Sequence, residues 1–354
     1  MDGKSNLSFF LNRPGDISFK EHPIPNLTNP HDVLIAINYT GVCGSDVHFY
    51  ENCAIGSYSL QDPLIIGHEG VGTVAKATAS LSSLASPAVA ARACLSGKYN
   101  LCDDVIFAAS PPHHGTLTGF FVAADDFCYK LPPGMPLREG ALIEPLAVAV
   151  HIVRQACVAP GMSVVVFGAG PVGLLCAAVA RIYGATDVVS VDIIPAKLAV
   201  AKQFAATQVY ESQAVPPREN AATLLRSTGM KASGVDIVID ASGAASSIQT
   251  GLHVVRKGGT FVQGGMGKSD IMFPIMELCM KEVNVRGSFR YGSGDYKLAL
   301  GMVASGQVQA KKLITGVVSF RRAEEAIKMV RGGRVIKVLI AGPNETVLDE
   351  EELK

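Results

Sequence analysis

The sequence predicts an α/β fold in which a doubly wound parallel sheet follows a mainly β amino-terminal region. Three observations carry this expectation. The chain has 354 residues, more than one ordinary core organises and enough for two domains. Its composition is 48% apolar and 18% charged, with 36 glycines and no tryptophan, which suits buried sheet rather than a disordered or fibrous chain. From Met162 onward, short apolar runs alternate with helical stretches, the pattern of a parallel sheet with crossover helices.

The elements follow in order. Residues His31 to Tyr39 alternate apolar and polar, as a half-buried strand does. Gly, Pro and short apolar runs surround them, so residues 1 to about 145 read as mainly β. Val164 to Phe167 is β-branched and aromatic, the mark of a central parallel strand buried on both faces. Leu174 to Tyr183 reads as a helix, Val188 to Val191 as a strand ending at Asp192, and Lys197 to Phe204 as a helix. Val235 to Asp240, Thr260 to Gln263 and Val283 to Gly287 supply further strands, while Glu211 to Ser227 reads as a surface loop and helix.

The balance of charge narrows the classes of function. The formal net charge is zero, so nothing favours nucleic acid or an anionic membrane. Met1 to Phe10 holds a single Lys and no long apolar core, which reads as no secretory signal. The apolar stretch from Val164 to Ile182 is broken by Gly168, Gly170, Pro171 and Gly173 and fits strand, turn and helix better than a membrane span. Eight cysteines without a secretory signal read as reduced thiols or metal ligands in a cytoplasmic protein.

Gly168-Ala169-Gly170-Pro171-Val172-Gly173 follows the strand and opens the helix. Gly168 permits a tight turn, Gly170 lets backbone approach a pyrophosphate, and Gly173 allows close helix–strand packing. The helix N-terminus offers free N–H groups to phosphates. Asp192 lies 22 residues after Gly170, about the spacing at which a carboxylate takes the ribose hydroxyls. Its charge would repel a 2′-phosphate, so NAD is expected over NADP, softened by nearby Lys197. The pattern reads as a Rossmann dinucleotide site.

Upstream stand Cys43, then His68 and Glu69 25 residues later, then Glu144. Alone, Cys43 would read as a core thiol and His68 as a hydrogen-bonded core histidine. Together, a thiolate, an imidazole and carboxylates suit zinc, and three protein ligands plus water is the open coordination of a catalytic site. A Lewis acid beside a nicotinamide implies alcohol–carbonyl redox chemistry.

Longer runs sharpen this. Gly41-Val42-Cys43-Gly44-Ser45-Asp46-Val47-His48, Gly67-His68-Glu69, Lys98 to Cys102, Asp126 to Pro132, Glu144 to His151 and Gly287 to Tyr296 resemble the zinc-dependent medium-chain dehydrogenases, in their polyol branch of sorbitol, L-arabinitol and fungal xylitol dehydrogenases. The resemblance covers nearly the whole chain. It implies a GroES-like catalytic domain from residues 1–147 and 289–354, with a Rossmann domain inserted at 148–288. It implies that Cys43, His68 and Glu69 hold catalytic zinc, with Glu144 a fourth ligand or bound through water. Ser45 and His48 would relay the alcohol proton. Arg290 and Tyr291 would meet substrate hydroxyls and the cofactor edge, although Arg290 also reads as a surface ion-pair residue. Gly264, Gly265, Met266, Ser288, Phe289 and Arg290 would join Gly168, Gly170, Pro171, Val172, Gly173, Asp192 and Lys197 around NAD. A small alcohol or ketone substrate and a homo-oligomer, dimer or tetramer, complete the implication.

The chain also departs from this family. Members usually carry a structural zinc on four closely spaced cysteines, whereas Cys94 and Cys102 remain here and Ala88 and Ala91 occupy the first two ligand positions. Two thiolates cannot close a tetrahedral structural site, so one catalytic zinc and no structural zinc are expected. Around Ala85-Ser86 a strand of the family is missing, and Ala75 to Ala93 looks weakly structured. Phe49 replaces a usual tyrosine and removes a hydroxyl that would contact a polyol. The leading expectation is NAD-linked oxidation of a polyol secondary alcohol to a ketose, xylitol to D-xylulose or a sorbitol-type substrate. Its alternatives are a relative recruited to a different alcohol, as in secondary metabolism, and a catalytically silent NAD-binding homologue.

Overall fold

The computed structural model describes residues 4–77 and 96–346. Ala85-Ser86, Ala88, Ala91 and Cys94, on which the expected deletion and the lost structural site turn, lie outside the described residues. The chain divides into two compact units, Met1–Glu144 with Gln309–Lys354, and Pro145–Val308. The domain borders read from the sequence, 147/148 and 288/289, differ from these. Residues 289–308 group with the second unit because buried Asp295 accepts from His151 Nδ1 at 2.7 Å and pairs with Arg154.

The first unit joins both chain ends. Strand Asp32–Gly41 pairs antiparallel with Glu69–Ala77 along its length. Its other edge is shared by Phe120–Ala124, opposite residues 32–36, and the carboxyl-terminal strand Lys337–Ala341, opposite residues 39–41. Ile314–Val318 extends this sheet, and a three-stranded sheet of Asp16–Glu21, Leu7–Arg13 and Leu64–Ile65 stands apart. Phe9, Leu11, Ile65, Ile66, Phe320, Val338 and Ile340 build the core. Helix Gly44–Asn52 interrupts the expected run of strands and follows directly on Cys43.

The second unit holds six parallel strands in the spatial order Gln208–Glu211, Asp187–Asp192, Ser163–Phe167, Val235–Asp240, Val255–Gln263 and Asn284–Gly287. The first of these in sequence is central, and the order reverses between it and Val235–Asp240, where open α/β sheets bind ligands. Val164, Val165 and Val166 are fully buried, as covering on both faces requires. Gln208–Glu211, missed in the sequence, is a strand of four residues at the sheet edge in which Tyr210 alone is buried. So short a run with polar ends carries no periodicity. No described helix is long and apolar enough to cross a membrane.

Candidate metal and dinucleotide sites

In the first unit, ligand atoms of Cys43, His68 and Glu69 lie within 4.8 Å of one another. Two element ends deliver them, the start of helix Gly44–Asn52 and the start of strand Glu69–Ala77. Cys43 is the residue preceding helix Gly44–Asn52, with extended backbone, and its amide donates to Asp46 Oδ2 at 2.9 Å. The same carboxylate accepts from the Gly67 amide through Oδ1 at 3.2 Å and faces His68 Nδ1 at 3.5 Å. Asp46 thus ties the two ligand loops together and leaves His68 Nε2 for another partner, the arrangement in which an outer carboxylate orients a ligand imidazole. Ser45 Oγ lies 3.4 Å from that Nε2. His48, half-buried, stands three residues on along the same helix, on the face that Ser45 occupies.

Glu69 opens strand Glu69–Ala77 and is 1% exposed. Buried carboxylates require partners, and this one has Lys337, whose Nζ lies 2.8 and 2.7 Å from its two oxygens. Gly41, opposite in the ladder, has no Cβ because one built there would overlap Glu69 Oε2. Glu144, in the first turn of helix Ile143–Ala156, is 6% exposed. Burial pushes its pKa up to about 7, with Glu69 and Asp46 adding to the rise and His68 and Lys337 opposing it. Burial also disfavours a charged His68, but the Asp46 carboxylate and Cys43 outweigh it and hold the pKa well above the usual imidazole range.

The donor set fits zinc: one thiol, one imidazole and carboxylates in a partly to fully buried cluster. Asp46 and Lys337 were not among the expected site residues. A lysine inside the apolar run Ile336-Lys337-Val338-Leu339-Ile340 was the available signal, since such a charge needs a buried anion. Phe49 is 7% exposed and packs in the hydrophobic core cluster of its unit.

In the second unit, Gly168 follows the central strand with φ +93°, and Gly170 precedes helix Pro171–Ile182. Pro171 opens that helix and Val172 follows in its first turn. A Cβ on Gly170 would meet nothing within 4 Å, whereas one on Gly173 would overlap the Gly168 carbonyl. Asp192 Oδ2 accepts from the Ala169 amide at 2.7 Å, and Oδ1 accepts from Ile193 and Ile194 at 2.8 and 3.0 Å. The carboxylate therefore also orders the glycine turn. Lys197 lies half-buried on the next helix, Pro195–Phe204.

Gly264 and Gly265 donate to the Asp240 carbonyl at 2.9 and 2.8 Å, which brings Met266 beside Gly243. The Ser288 amide donates to the Gln263 carbonyl at 2.9 Å. Ser288 Oγ and Gln263 Oε1 are buried there without a hydrogen-bond partner. Orphaned polar atoms at the carboxyl ends of parallel strands suit a polar ligand, and the site fits a dinucleotide. Arg290, at φ +55°, stacks on Phe289 at 4.7 Å, and Tyr291 meets Tyr296 edge to face.

Residues 29–133 match the family described as alcohol dehydrogenase GroES-like domain, and residues 171–305 match that described as zinc-binding dehydrogenase. The chain is 53% identical over 347 residues to a probable D-xylulose reductase A of Neosartorya fischeri and to D-xylulose reductase A of Aspergillus niger, covering 95% of this chain and 97% of each relative. Among solved structures it resembles L-idonate 5-dehydrogenase of Escherichia coli, with TM-score 0.85 and 28% identity over 96% of this chain and 98% of that one. An Escherichia coli oxidoreductase of unknown specificity matches with TM-score 0.86 and 29% identity over 96% and 99%.

Proposed function

Because the chain belongs to the zinc-dependent medium-chain dehydrogenases, we propose that it interconverts xylitol and D-xylulose with NAD as hydride carrier. The observation that carries this reading is the convergence of Cys43, His68 and Glu69 in a chain 53% identical to a D-xylulose reductase. Zinc held here would supply Lewis acidity toward the alcohol oxygen, and NAD⁺ would supply the hydride acceptor. Cys43, His68 and Glu69 would hold the metal, with Glu144 a fourth ligand or bound through water. Asp46 fixes the His68 ring. Ser45 and His48 carry the alcohol proton from the site to solvent, and Arg290 and Tyr291 bind substrate hydroxyls. Gly168, Gly170, Pro171, Val172 and Gly173 receive the pyrophosphate, and Asp192 takes the adenosine ribose and disfavours a 2′-phosphate. Lys197, Gly264, Gly265, Met266, Ser288 and Phe289 complete the cofactor contacts.

One zinc per chain is expected, since Cys94 and Cys102 offer two thiolates where a structural site needs four ligands. The described cysteines are free thiols, which supports a cytoplasmic location. The exposed Met272, Met276 and Met280 support a homo-oligomer, dimer or tetramer. A panel of polyols and simple alcohols with NAD⁺, followed at the nicotinamide absorbance, tests the substrate. Xylitol should head the panel; turnover of another alcohol in its place would favour the recruited enzyme, and none at all the silent homologue.

A further inference from the structure

The metal cluster contains a cation of its own. Lys337 is 1% exposed and begins a strand that is otherwise Val-Leu-Ile-Ala. Its ammonium reaches both oxygens of Glu69 at 2.8 and 2.7 Å and the Val42 carbonyl, just before Cys43, at 3.0 Å. A charge this deep persists only when paired. Burial lowers the affinity of Lys337 for its proton, but Glu69, Cys43 and Glu144 together raise it above the usual lysine range. Those are three of the four residues proposed to hold zinc. The missing side chain at Gly41 leaves the room that the Glu69 carboxylate occupies.

We propose that Lys337 is the resident counter-cation of the zinc site, holding Glu69 when the metal is absent and sharing or yielding it when zinc binds. The proposal rests on the reading that Cys43, His68 and Glu69 hold zinc. Lys337 and zinc then use the same anion, so each weakens the hold of the other, and this antagonism is reciprocal. A positioning residue that merely orients a ligand behaves in the opposite way: removing it costs about 10- to 100-fold in metal affinity. Lys337 should instead oppose the metal, and in return keep the zinc-free chain folded around a buried carboxylate.

The test uses the full chain and its Lys337→Met, Lys337→Arg, Glu69→Gln and Lys337→Met/Glu69→Gln variants. Zinc affinity is measured by chelator competition, and melting temperature is measured with zinc and after chelation. Lys337→Met should bind zinc about 10-fold more tightly, within the usual range of coupling between sites. Its melting temperature should rise more on zinc addition than that of the wild type. Lys337→Arg should keep wild-type values, and in the Glu69→Gln background Lys337→Met should leave zinc affinity unchanged. If Lys337→Met folds only with zinc, the rate of zinc loss to excess chelator replaces the equilibrium measurement, and slower loss than wild type is expected. Weaker or unchanged zinc binding, or faster or unchanged loss, in Lys337→Met overturns the proposal alone. A wild type that takes up no zinc overturns the metal reading and the proposal with it.

Discussion

Gly41 shows how closely a single residue shapes the metal cluster. Gly41→Ala places a methyl group on Glu69 Oε2, and overpacking of this kind costs about 1–3 kcal/mol. The variant should melt lower and retain less zinc than the wild type after dialysis; undiminished zinc content would show that Glu69 is dispensable for metal. The protonation states of the same cluster set its pH dependence. Burial raises Glu144 from 4.5 to about 7, and His68 lies well above 6.5. Both raised values stabilise the zinc-free chain below the ordinary pKa of each group, and that contribution is lost as pH rises through the raised ones. Zinc requires deprotonated ligands, so its affinity should climb between about pH 6 and 8, with protons released on binding. Chelator competition at several pH values checks this, and a flat profile would contradict it. Asp192 accepts three backbone amides and, on the proposed reading, also takes the adenosine ribose. Asp192→Ala should therefore weaken NAD binding and also narrow the preference over NADP, as titrations with both reduced cofactors would show. An unchanged cofactor ratio would remove Asp192 from specificity.

At the scale of elements, the glycine turn joins strand to helix by contact rather than by hydrogen bonds alone. Gly173→Ala would press a methyl group on the Gly168 carbonyl and should abolish most NADH binding while zinc content stays near one per chain. Retained cofactor affinity would mean that the turn relaxes without cost. This strand–turn–helix was legible because Val164 to Phe167, Gly168 to Gly173 and Asp192 each carry a local signal in fixed order. Helix Gly44–Asn52 was not, since its run Gly-Ser-Asp-Val-His-Phe-Tyr-Glu-Asn interleaves polar and apolar residues without a clear helical period. Strand Gln208–Glu211 is held by pairing with Val189 to Asp192, a partner that local sequence does not reveal.

Across the molecule, the residue types of the candidate site were legible in the sequence, and the contacts that hold them were not. Cys43, His68, Glu69 and Glu144 are conspicuous as residue types, but Lys337 reaches Glu69 across 268 positions of sequence. That contact exists because the carboxyl-terminal strand pairs back onto residues 39–41. Likewise Asp295 meets His151 144 positions away, which places residues 289–308 with the parallel sheet. Long-range pairing of this kind leaves no period in the sequence.

NAD-linked polyol oxidation should run on one zinc held by Cys43, His68 and Glu69. This is tested most directly by following xylitol and NAD⁺ at the nicotinamide absorbance while zinc is removed from and returned to the same sample, with Cys43→Ser in parallel. Turnover should vanish on chelation, return at one zinc per chain, and stay absent in Cys43→Ser, which should still bind NADH. Turnover that survives zinc removal, or a zinc-loaded chain that binds NAD⁺ yet leaves xylitol unoxidised, would contradict it.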